Sequence, residues 1–109
     1  MSIPHALPCQ PVAVAPFGSS LPEQRSVALF KSNQLEVIRL VLPAGKTMPT
    51  HKVAGELTIQ CLEGVLDVEV SGDFTLLAAG QMMFLHGEVP HSVTAREHAS
   101  ALVTIVLCK

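Results

Sequence analysis

The chain has 109 residues, a formal net charge of −2, five histidines, three cysteines and no tryptophan or tyrosine. That length is one domain. The charge excludes a phosphate-neutralising nucleic-acid binder, which needs clustered Lys/Arg and usually stacking aromatics, and no apolar run approaches the roughly 18 residues of a membrane span.

Apolar residues make up 49% of the chain and charged residues only 15%, against a usual charged fraction of about 25%. A small barrel cannot hide that much hydrocarbon alone, so the composition predicts a covered apolar surface and a homodimer. The first basic residue is Arg25, which leaves no positively charged leader segment and predicts a cytoplasmic protein. An odd set of cysteines (Cys9, Cys61, Cys108) without metal-motif spacing predicts reduced thiols, with Cys61 a small buried hydrophobe.

Residues 1–24 hold Pro4, Pro8, Pro11, Pro16 and Pro22. Proline fixes φ and removes amide donors, so this segment reads as an extended N-terminal arm that pairs at an edge, reaches to a neighbouring subunit or lies loose. Residues 25–109 read as a β-barrel. Strands are predicted over Val27–Ser32, Leu35–Leu42, Leu57–Glu63, Val65–Val70, Phe74–Ala78, Gln81–Leu85, His91–Ala95 and Ala101–Leu107. Turn signals lie between them at Ser32-Asn33, Pro43-Ala44-Gly45 and Ser71-Gly72-Asp73. No window shows helical periodicity with caps. Many short strands with Gly/Pro turns predict an all-β sandwich or barrel.

Two stretches carry a pattern: Gly45 to His51 to Gly64, and Gly80 through His86 to His91. Gly45, His51 and Gly64 fit in register G-x5-H-x-H-x3/4-E-x6-G, and Gly80 and His91 fit G-x5-P-x-G-x2-H-x3-N. With Val89-Pro90-His91 and Leu62-Glu63-Gly64, this stretch, roughly residues 40–105, resembles the cupin family (RmlC-like cupins). The resemblance implies a jelly-roll or double-stranded β-helix barrel. It also implies a metal site of four ligands, two histidines and a glutamate from the first motif and one histidine from the second. His51 and His91 hold two of those places; Val53 stands at the second histidine, Leu57 at the glutamate, His86 at the proline, Glu88 at the glycine and Ala95 at the asparagine.

Two imidazoles hold a divalent ion weakly. Glu56, one residue from the glutamate place, is the candidate third ligand. Strand alternation turns it outward, but Gly55 permits an irregularity that could re-aim it. His51, His91 and Glu56 would then form a two-His-one-carboxylate set for Fe, Mn, Ni, Cu or Zn, a single ion weakly bound or absent. Alternation predicts a pocket lined by Val53, Leu57, Ile59, Cys61, Met83 and Val93, with His86 at its rim. Such a lining suits a small, mainly apolar ligand with one polar handle. Three functions compete: a non-enzymatic binder of a small apolar molecule with a degenerate metal site, a divalent-metal-dependent dioxygenase or isomerase using His51 and His91, and a barrel acting as an interaction unit. The sequence names no catalytic base, so the catalytic residues stay unknown, and it holds no phosphate loop and no Ser-His-Asp pattern.

Overall fold

The computed structural model describes residues 5–108. Nine strands follow the arm: β1 (Val27–Lys31), β2 (Leu35–Leu42), β3 (Thr47–His51), β4 (Leu57–Glu63), β5 (Val65–Val70), β6 (Asp73–Ala78), β7 (Met82–Leu85), β8 (His91–Ala95) and β9 (Ala99–Val106). They form two antiparallel sheets, one in the order β1-β2-β9-β4-β7 and the other β3-β8-β5-β6. This is the jelly roll that the alternation and the turn glycines predict. Gly45, Gly64 and Gly80 all take positive φ, between 80° and 86°, a conformation without steric cost only for glycine. At Gly64 space adds a second demand, since a Cβ there would sit 2.2 Å from the carbonyl oxygen of His98.

Both sheets feed one core. Ile59, Cys61 and Ala101 from the first meet Leu66, Val68 and Val93 from the second, each no more than 1% exposed. Burying each large aliphatic among them contributes about 1.5–3 kcal/mol. Cys61 is the buried hydrophobe its strand predicts, and its Sγ lies 3.5 Å from the carbonyls of Glu63 and Gly64.

The strand set differs from expectation at β3, which carries Pro49. Proline cannot donate to a ladder, but β3 is an edge strand, where its missing N–H is tolerated. Past the undescribed residues 1–4, Ala6 N donates to Leu29 O and the arm crosses the outer face of the five-stranded sheet. It then closes in a six-residue 3-10 turn, Gly18–Glu23, whose Leu21 is buried. Among the described residues no helix is long and apolar enough to cross a membrane.

The arm is fastened by a charged cluster. Arg39, 3% exposed, points outward from β2 and donates through Nη2 to Ala15 O at 2.7 Å, with Glu63 Oε2 3.5 Å away. Its guanidinium lies 3.8 Å over the Phe17 ring. The Glu63 carboxylate accepts from Phe17 N (2.9 Å), Gly18 N (3.1 Å) and Ser100 Oγ. Simple alternation would send Glu63 inward with Ile59 and Cys61. A register shift between Cys61 and Glu63 turns it to the outer face instead. Burial pushes the Glu63 carboxyl up, but the bonds from Ser100, Phe17 and Gly18 and the charge of Arg39 outweigh it, so the group lies below its ordinary value. Burial lowers Arg39, and Glu63 opposes that.

Candidate functional site

β3 and β8 pair so that His51 faces His91 across the ladder. Their ring centroids lie 4.5 Å apart at 55°. His91 is 2% exposed, whereas His51 stands open at the mouth. Both rings border an apolar cavity of about 130 Å³. Val53, Leu57, Ile59 and Val93 line it as alternation predicts. Ile38, Leu40, Met48, Val103 and Ile105 complete the wall. These five lie on β2, β3 and β9, and apart from Met48 they come from strands that the two histidine motifs do not reach. A signal for the β2 pair was available in the parity of Ile38 and Leu40 within Leu35–Leu42.

Three expected lining residues are elsewhere. Cys61 lies two residues deeper than Ile59, paired with Ala101 where the core is closed. Met83 packs against the core from β7 but lies outside the cavity wall. His86 is turned to solvent, with its side chain 76% exposed and its ring 5.0 Å from Phe84.

Glu56 does not join the histidines. Its carboxylate lies 3.6 Å from His86 Nδ1 on the outside of the mouth, and its carbonyl accepts from Val106 N at 2.9 Å. Gly55 does not re-aim it. A Cβ at Gly55 would lie 1.8 Å from Val106 O, so that glycine is there for close backbone approach to β9. The opposing loop uses the same device: a Cβ at Gly87 would lie 2.1 Å from Ala54 O, and Glu88 N donates to Val53 O at 2.7 Å. The two loops are thereby zipped together beside the cavity.

Each ring is anchored by one local bond. His51 Nδ1 lies 3.1 Å from Pro49 O and His91 Nδ1 lies 3.0 Å from Val89 O. A carbonyl only accepts, so Nδ1 carries the proton and Nε2 is left bare, the tautomer in which imidazoles commonly bind metal. That half of the site suits a metal. The other half does not: among the described residues no group of three or more His, Cys, Asp or Glu is placed to hold an ion. Val53 and Leu57 give the cavity wall hydrocarbon and no ligand atom. Two nitrogens fall short of the three or four protein ligands of a resident divalent ion.

No family model and no curated protein matches the chain. Solved structures do. A conserved protein of unknown function from Streptococcus pyogenes superposes with a TM-score of 0.77 at 18% identity, over 100% of this chain and 99% of that one. An RmlC-like cupin from Desulfovibrio desulfuricans gives 0.70 at 25% identity, over 94% and 97%. A mutant form of the salicylate 1,2-dioxygenase of Pseudoaminobacter salicylatoxidans gives 0.66 at 24% identity, over 73% of this chain but 26% of that one.

Proposed function

We propose that this chain, a small cupin-domain protein, binds a small, mainly apolar molecule in its barrel without a resident metal. One observation carries the reading. The cavity holds two imidazoles in a wall otherwise made of Ile, Leu, Val and Met, with no third His, Cys, Asp or Glu placed to complete a metal site among the described residues. Apolar walls with one convergent polar spot are the usual make-up of a small-molecule site.

The test pairs metal content with ligand-induced stabilisation. Protein purified without an affinity tag is analysed for Fe, Mn, Ni, Cu and Zn, then melted against a panel of small apolar molecules. The expected result is substoichiometric metal and a raised Tm; a ligand at 100 times its Kd adds about 2.7 kcal/mol. Stoichiometric metal that is lost in both His51→Ala and His91→Ala would overturn the reading. It would favour the competing one, a divalent-metal-dependent dioxygenase or isomerase. The anchored tautomers of His51 and His91 support that alternative. The salicylate dioxygenase is similar to this chain in fold alone.

A homodimer is part of the same proposal. Phe74 and Leu76 on edge strand β6, with Met82 and Phe84 on edge strand β7, are 56–70% exposed. Such side chains on strands with unpaired backbone invite a second copy. Sedimentation should give a dimer that Phe84→Glu dissociates; a monomeric parent chain ends the idea. A cytoplasmic location is supported by Cys9, Cys61 and Cys108 all being free, and fractionation of the native host checks it.

A further inference from the structure

We infer that the cavity selects an uncharged, single-ring ligand carrying a hydroxyl that donates a hydrogen bond, and rejects ligands of the same size whose polar atoms only accept. This rests on the ligand-binding reading of the cavity given above.

The two anchoring bonds decide the preference. With Nδ1–H of His51 given to Pro49 O and that of His91 to Val89 O, each neutral ring has no further donor. Both Nε2 atoms are acceptors. Both rings line the cavity and sit 4.5 Å apart, so a ligand beside them is offered imidazole acceptors and no imidazole donor. An O–H satisfies one of them. A carbonyl, ether or carboxylate oxygen brings another lone pair and leaves the buried ring of His91, 2% exposed, without a donor, which is costly. A carboxylate loses further, because no Lys, Arg, Asp or Glu lines the cavity and no cation is there to meet it.

Size sets the rest. The cavity is about 130 Å³, and an apolar protein cavity of about 150 Å³ accepts one benzene. That is the scale of a single six-membered ring, with its carbons against Leu40, Ile59 and Val103 and its hydroxyl toward the rings at the open mouth.

The probes are phenol, toluene and benzoate, titrated by calorimetry into the full chain at about pH 8. Phenol and toluene have the same shape and differ in the donor. Phenol should bind about 10-fold more tightly than toluene, the worth of one hydrogen bond to a desolvated acceptor, and benzoate more weakly than either. The variant His51→Leu changes an open residue at the mouth, and His91→Leu a buried one. Each should narrow the phenol preference while toluene still binds, and the pair keeps the test alive if His91→Leu fails to fold. Toluene binding as well as phenol, or benzoate binding most tightly, overturns the selection and leaves the cavity reading standing. If none of the three binds, both fall.

Discussion

The two faces of the five-stranded sheet make an instructive contrast. The inner face is hydrocarbon from β2, β4 and β9, interrupted only by a void to which the opposite sheet contributes two histidines. The outer face carries the densest buried polar chemistry of the described residues: Arg39, Glu63 and Ser100, closed over by the arm. A charged cluster inside a small protein is usually the first place to seek function. Here every member but Arg39 Nε has a partner, and the partners are backbone atoms of the arm and one another. The cluster is a fastening. The quieter face, whose cavity is lined by no charged side chain, is the one that brings two histidines to a void.

The largest test of that contrast is Glu63→Ala. It strands the Arg39 guanidinium without its counter-ion and frees Phe17 N and Gly18 N. A cost of about 3–5 kcal/mol is expected in urea unfolding, with ligand affinity of the folded fraction unchanged. A loss of ligand binding that matches the loss of stability would tie the two faces together and break the comparison.

Acid gives a smaller effect of the same origin. The folded Glu63 carboxyl lies below its ordinary value. Its stabilisation is therefore complete above the unfolded carboxylate range, near pH 4, and is lost as pH falls through the folded value. Thermal melts should show stability dropping below about pH 4, and Glu63→Gln should flatten that drop. An acid limb of unchanged steepness in Glu63→Gln would assign the lability to other carboxylates.

The smallest effect concerns the mouth loop. Glu88 takes φ of 66°, a left-handed conformation that costs a non-glycine residue about 1 kcal/mol. Glu88→Gly relieves it and loses only an exposed contact with Lys52, of little worth in water. A net gain of about 0.5 kcal/mol is expected, after the greater unfolded freedom of glycine is subtracted. A lower Tm in this variant would mean that the Lys52 contact steadies the loop after all.

Much of the fold was legible because strands β2, β4, β5 and β8 alternate cleanly and end at residues with turn chemistry. Their bounds, Leu35–Leu42, Leu57–Glu63, Val65–Val70 and His91–Ala95, agree with the sequence reading. β3 was illegible because Pro49 argues against a strand unless the strand is known to lie at an edge. Half of the cavity wall was legible for the same reason as the strands, since period two sets which side chains share a face. The missed half, from Ile38 to Ile105, comes largely from strands that pairing alone brings to the histidines. Arg39 did leave a signal, a lone cation inside the apolar run Val37-Ile38-Arg39-Leu40-Val41, but its partners lie 24 and 61 positions away along the chain.

The sequence by itself determined the class of fold, the turns and the face on which most strand residues lie, because backbone conformation and side-chain alternation are local properties. Only the tertiary structure decided the direction of Glu56, the turning of Glu63 to the outer face, and the meeting of His51 with His91. Each of these depends on a contact that local pattern cannot see: Gly55 pressed against β9, the bulge at Cys61/Glu63, and the pairing of β3 with β8.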